Sequence, residues 1–198
     1  MKTVFFDVDT QIDFLFPAGA LYVPGAERMV KTFGALTRFA GSNRFKIISD
    51  TDAHAEDDPE FKVWKPHCVV GTAGQQKTAN TLLNQRLVVS SAHGSFGAIR
   101  SRVADAPQII VEKQSLDCFT NPNLHPLLDA IGADRYVVYG VVTEYCVRCA
   151  AFGLLQTGAQ VEVVTDAIKS LNTSDEQDVL QRFQAQGGVL TTSAAVTA

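Results

Sequence analysis

Apolar and polar positions follow two alternating patterns along the chain. Short β-rich runs, several of them nearly continuous apolar stretches, recur at residues 3–8, 44–49, 87–90, 108–112, 135–141, 161–165 and 189–191. Runs such as Tyr136-Val137-Val138-Tyr139 suit strands covered on both faces, as the strands of a parallel sheet are. Segments with helical spacing lie between them. Residues 25–39 place Met29, Val30, Phe33, Leu36 and Thr37 on one face. Residues 122–131 follow Asn121, an N-capping residue type, with Pro122 at the first helical position. Residues 146–157 stop at Gly158, and 174–186 stop at Gly187-Gly188. This alternation predicts one α/β domain over residues 1–198, a doubly wound, mostly parallel sheet with helices on both faces. In such folds chemistry collects at the carboxyl ends of the strands. Residues 50–84 lack clear periodicity, and a stretch of that length, rich in His, Asp, Pro and Gly, reads as functional.

Composition narrows the picture by exclusion. With 46% apolar and 19% charged residues, there is enough apolar surface to offset chain entropy, which excludes intrinsic disorder. A net charge of −4 without a basic cluster disfavours a nucleic-acid partner. No run approaches the roughly 18 apolar residues of a membrane span. Asp7 interrupts the run Val4-Phe5-Phe6 too early for a secretory signal. The cysteines are Cys68, Cys118, Cys146 and Cys149, too sparse for a disulfide framework, so reduced thiols and a cytoplasmic location are expected.

Three strand ends carry reactive groups. The first strand runs into Asp9, the fourth ends beside Lys113, and the fifth is followed by Cys146 where a helix begins. A parallel sheet puts these ends on one edge, so a carboxylate, an ammonium and a thiol can meet there. A helix start and a neighbouring Lys113 would both lower the pKa of the thiol. Asp9 could take its proton and later deliver it to a leaving amine, while backbone N–H groups of the turn hold an oxyanion. The same residues have ordinary readings as a buried small hydrophobe, a turn residue and a surface lysine, and spacing alone leaves both open.

The wording of these segments adds a resemblance. Asp9-Thr10-Gln11-Ile12-Asp13-Phe14 resembles the D-x-Q-x-D-F opening of the isochorismatase-like cysteine hydrolases. Gly140-Val141-Val142-Thr143-Glu144-Tyr145-Cys146-Val147 resembles their G-x-x-T-D-x-C-V turn, Lys113 falls where that family has its lysine, and Asp166-Ala167 matches a later strand-end pair. Asp52-Ala53-His54 and the segment from Trp64 to Thr72 are most similar to the D-x-H and W-P-x-H-C-V-x-G-T motifs of nicotinamidases. The resemblance spans essentially the whole chain. It implies a cysteine amidohydrolase in which Asp9, Lys113 and Cys146 are catalytic. It also implies a cis peptide between Val141 and Val142, with the N–H groups of Val142 and Cys146 as the oxyanion hole. Asp52, His54 and His67 would hold a divalent metal, zinc foremost, and Phe14 and Trp64 would pack on the substrate ring. The implied substrate is a small carboxamide, nicotinamide giving nicotinate and ammonia, and the implied assembly is a homodimer or homotetramer.

Some positions depart from the motifs. Glu144 stands where aspartate is usual. After the D-x-H pair come only acids, of which Glu60 could take a ligand position. Residues 86–105 match no motif. These departures bear on substrate choice and leave open a related hydrolase of another small amide or carbamoyl compound without a metal. A non-catalytic binding module would have lost one of the three reactive groups, and an enol-ether hydrolase acting on isochorismate would not need Cys146. Residues 71–78 look like a phosphate loop, but Gln76 precedes Lys77 where glycine is required, and no G-x-G-x-x-G follows the first strand.

Overall fold

In the computed structural model, which describes residues 1–198, the strands are β1 Thr3–Val8, β2 Lys46–Asp52, β3 Arg86–Val89, β4 Gln108–Lys113, β5 Arg135–Val141, β6 Gln160–Lys169 and β7 Val189–Thr191. They form one seven-stranded sheet in the order β3-β4-β2-β1-β5-β6-β7. Every neighbouring pair is parallel, so the sheet is wholly rather than mostly parallel. The helices are α1 Ile12–Leu15, α2 Val30–Ser42, α3 Ser95–Ile99, α4 Leu124–Ile131, α5 Arg148–Leu155, α6 Thr173–Ala185 and α7 Ser193–Val196. None is long and apolar enough to cross a membrane.

Alternation along the central strands assigns the two faces. Val4, Phe6 and Val8 of β1 and Tyr136 and Val138 of β5 point to one side, where they pack with Leu124, Leu127 and Leu128 of α4, Ala150 and Leu154 of α5, and Phe183 of α6. Phe5, Val137 and Tyr139 point to the other side, onto Phe33, Leu36 and Ala40 of α2. Burying both faces is what makes the strands read as continuous apolar runs.

Several boundaries differ from those expected. β2 continues through Ser49-Asp50-Thr51-Asp52, all buried, because these polar residues still pair with β1 and β4. β6 runs past Asp166 to Lys169, with a register shift against β5. α4 begins at Leu124 rather than Pro122. Asn121 instead accepts the Asn123 N–H at 2.8 Å in a preceding turn, and Pro126 occupies the first turn of the helix, where no N–H is needed. A short 3₁₀ turn, Ala26–Met29, precedes α2, and one π-type turn, Thr143–Val147, precedes α5.

The irregular segment between β2 and β3 is fastened by polar groups. Lys77 Nζ lies 2.8 Å from Asp7 Oδ2 inside the core and donates to Thr10 Oγ1 at 2.7 Å. The hydroxyls of Thr10 and Ser49 donate to the two oxygens of Asp7 at 2.9 and 3.1 Å. A buried ion pair is tolerated when its remaining hydrogen-bonding capacity is filled in this way.

Candidate active site

Register lines up the strand ends. Asp52 of β2 faces Lys113 of β4, while Val8 of β1 faces both Asp50 of β2 and Gly140 of β5. Gly140 has φ +131°, and a Cβ there would fall 2.0 Å from the Val8 carbonyl oxygen, so only glycine lets β5 pass β1 at this point. Just beyond β1 the backbone turns at Asp9, φ +47°, whose N–H donates to the carbonyl of Asp50 at 3.3 Å and to its Oδ1 at 3.1 Å.

Asp9, Lys113 and Cys146 meet at this edge. Lys113 Nζ donates to Asp9 Oδ2 at 2.9 Å and to Asp52 Oδ1, and lies 3.8 Å from Cys146 Sγ. All are buried, Lys113 completely. Burial alone would lower the Lys113 ammonium, but Asp52 and Asp9 outweigh it and hold the group well above the ordinary lysine range. Burial raises Asp9, and Lys113 offsets only part of that. For Asp52 the balance goes the other way: burial would raise it, yet Lys113 and the two histidines hold the carboxyl below its ordinary range.

The expected lowering of the Cys146 thiol is not what the structure gives. Burial pushes the thiol well above the ordinary cysteine range, and Lys113 opposes this without reversing it. Cys146 lies in the π-type turn that runs directly into α5. Asp9 Oδ1 has no well-aligned hydrogen-bond partner, although the thiol is near enough to affect its acidity.

Asp52, His54 and His67 bring one ligand atom each to within 4.8 Å of one another. Their spacing follows from chain geometry: Asp52 ends β2, and His54, two residues on along extended chain, pairs with Val69. Nε2 of His54 and of His67 lie 3.6 and 3.4 Å from Asp52 Oδ2. His67 Nδ1 is 2.7 Å from the Lys65 carbonyl, which fixes the proton on Nδ1 and turns the Nε2 lone pair inward. His54 Nδ1 is 3.0 Å from Asp58 Oδ2 but out of line, so both buried nitrogens of His54 lack a hydrogen bond. An orphaned imidazole, a second imidazole with a fixed tautomer and a carboxylate fit a divalent metal, with open positions left over. Glu60 lies outside this group and lines the neighbouring cavity.

That cavity is about 60 Å³. At roughly 10–15 Å³ per water centre it has room for one small ring. Cys146, Val142, Asp52 and His67 form its polar end. Phe14 of α1 packs its ring 5.4 Å from that of His67, and Trp64 stands edge-on to Tyr145 at 5.3 Å. The peptide between Val141 and Val142 is cis, as the resemblance implied. Val142 and Cys146 both line the cavity, and the Val142 carbonyl accepts the Tyr145 and Val147 N–H groups at 3.1 Å each.

Comparison with known proteins agrees with this geometry. The model of the isochorismatase domain matches residues 3–195. The chain belongs to the isochorismatase family. It is 27% identical to a nicotinamidase of Escherichia coli (strain K12), over 94% of this chain and 93% of that protein. A pyrazinamidase of Pyrococcus horikoshii, solved in complex with zinc, superposes with a TM-score of 0.81 at 25% identity, covering 97% of this chain and 99% of that one. The PnC1 protein of L. infantum, solved in complex with nicotinate, gives 0.76 at 25% identity, with 98% and 93% covered.

Within this isochorismatase domain, several motif residues support rather than face the cavity. Gln11 accepts the Asp52 N–H at 2.7 Å and donates to the carbonyls of Asp52 and Gln75 at 2.8 and 2.7 Å. Asp13 accepts the N–H groups of Ala20 and Cys68 at 2.8 and 2.7 Å. Asp166 lies mid-strand rather than at a strand end and binds Ser193 through N–H and hydroxyl, away from the cavity. Sequence reasoning missed Tyr145 and Leu171 as cavity walls. Tyr145 sat inside a quoted motif, whereas Leu171 carried no signal.

Proposed function

We propose that this hydrolase of amide C–N bonds uses Cys146 as nucleophile and Asp9 as proton carrier, with nicotinamide as substrate. The observation that carries the reading is that Cys146 lines a ring-sized cavity together with Asp52 and His67 of the metal-ligand group, while Lys113 links Asp9 to the sulfur, 2.9 Å from the Asp9 carboxylate and 3.8 Å from Cys146 Sγ. The E. coli nicotinamidase and the nicotinate-bound L. infantum protein support the substrate, and the zinc-bound P. horikoshii pyrazinamidase supports zinc as the metal.

The reaction begins with proton transfer from Cys146 to Asp9 as Sγ bonds to the carboxamide carbon. Val142 and Cys146 N–H groups hold the oxygen of the tetrahedral intermediate. Its collapse breaks the C–N bond, Asp9 passes the proton to the departing nitrogen, and ammonia leaves a thioester on Cys146. Asp9 then takes a proton from water as the water oxygen attacks the thioester. The C–S bond breaks, the sulfur regains its proton and nicotinate departs. Lys113 keeps Asp9 in place and balances negative charge on sulfur and carboxylate. Asp52, His54 and His67 would hold the divalent ion, which when bound supplies a Lewis acid for a donor nitrogen of the substrate ring.

A panel of small amides and carbamoyl compounds, assayed for ammonia with and without chelator, tests this. Activity centred on nicotinamide, lost on chelation and restored by zinc, is expected. Activity on unrelated carbamoyl compounds that ignores chelation would refute the substrate and the metal. Equal ammonia release by a Cys146→Ala variant would refute the nucleophile.

A further inference from the structure

The outer wall of the cavity includes a residue outside all the motifs. Leu171, between β6 and α6, lines the same cavity as Cys146, Val142 and Tyr145, yet it is 51% exposed. A leucine so exposed is not held by burial alone. Glu144, buried in the turn that carries Cys146, accepts the N–H groups of Leu171 and Asn172 on Oε1 at 2.8 and 2.9 Å, while its buried Oε2 has no partner. Asn172 in turn caps α6, accepting the Ser174 N–H at 2.8 Å, and Thr143 Oγ1 reaches Glu176 of that helix at 3.5 Å. The turn bearing the sulfur and the wall facing it are thus fastened together through one carboxylate.

We propose that Leu171 is a specificity-determining residue and that Glu144 is the positioning residue that sets its distance from Cys146. The proposal rests on the reading of this cavity as the site of amide hydrolysis and adds what sets the distance of its outer wall. An aspartate at position 144 would be one methylene, about 1.5 Å, too short to reach both N–H groups unless the Leu171 segment moved toward the turn. Glutamate therefore keeps the wall out and the cavity open. With Leu21, Val23 and Leu116, the wall is apolar. A negatively charged substituent on the far edge of a substrate would lose its hydration there and meet apolar side chains and the Glu60 carboxyl group instead of a cation.

Trp64 is the only tryptophan and lines the cavity, so its fluorescence reports occupancy without turnover. The test titrates nicotinamide, a ring-methylated nicotinamide and a ring-carboxylated one into a Cys146→Ala protein, and into the same protein also carrying Leu171→Ala, Glu144→Asp or Glu144→Gln. Leu171→Ala should weaken nicotinamide about 5-fold and narrow its advantage over the methylated ring. Glu144→Asp should disfavour the methylated ring about 10-fold more than nicotinamide, the scale of one methylene in an apolar pocket. Glu144→Gln keeps the Oε1 acceptor and should restore the original ratio. The carboxylated ring should bind weakest throughout. Unchanged affinity ratios across the four proteins would overturn the proposal, as would the lack of any Trp64 response to these amides. Should the Glu144 variants fail to fold, Leu171→Ala at its half-exposed position decides alone. Shifted ratios in a protein whose Cys146 form releases no ammonia from any amide would sink the reaction and leave the wall standing.

Discussion

Lys113 has two tasks that one substitution can separate. Its ammonium is fully buried between the Asp9 and Asp52 carboxylates. Lys113→Met keeps much of the volume and removes the charge, leaving two buried carboxylates without their shared cation. Removing one partner of such a cluster costs about 3–5 kcal/mol. For a chain of this length that is a fall of roughly 6–20 °C in melting temperature. Activity should also fall at least about 100-fold, because burial then raises Asp9 unopposed and it ceases to be a base. The assay is a thermal melt alongside ammonia release from nicotinamide. Adding Asp9→Asn to Lys113→Met removes one stranded charge and should recover part of the stability and none of the activity. A Lys113→Met protein melting within about 2 °C of the parent, and keeping more than a tenth of its activity, would refute the account of this cluster.

The other predictions concern single features. Cys146→Ala should lower kcat at least about 10⁴-fold with little change in melting, and Asp9→Asn should lower it about 10²–10⁴-fold, both read by ammonia release. His54→Ala should abolish stoichiometric metal in mass-spectrometric analysis. Zinc at a hundred times its Kd should stabilise the metal-depleted parent by about 2.7 kcal/mol, roughly 5–11 °C, and identical melts with and without zinc would contradict the site. Gly140→Ala should cost about 3 kcal/mol or more by denaturant titration, since its Cβ would fall 2.0 Å from the Val8 carbonyl oxygen; a parent-like midpoint would refute that contact.

All seven strands were legible in the sequence, the central ones because burial on both faces makes them apolar runs, the edge strands β3 and β7 because they are short and rich in Val and Leu although partly exposed. The pattern failed at the carboxyl ends, where Ser49-Asp50-Thr51-Asp52 looks like a loop but is paired strand. Polar residues are placed there because that edge carries the charged cluster. Asp9, Lys113, Cys146, Asp52, His54, His67, Phe14 and Trp64 could be picked out by type and motif. Leu171 could not, because it is placed by a hydrogen bond from its own N–H to Glu144 Oε1, 27 residues away in sequence. The thiol was misjudged for a related reason: its neighbours can be guessed from sequence, whereas the depth of burial that outweighs Lys113 cannot.

The walls and the reactive groups come from different parts of the chain. The reactive groups sit on or just beyond rigid strand ends, while Leu21, Trp64, Leu116 and Leu171 project from connecting segments. A combinatorial library confined to those four positions would therefore vary which amides are accepted while leaving the proton-transfer apparatus alone. Randomising Gln11 or Asp13 instead would remove the acceptors that hold the backbone at Asp52 and Cys68, so redesign of selectivity should start from the rim and leave these two side chains untouched.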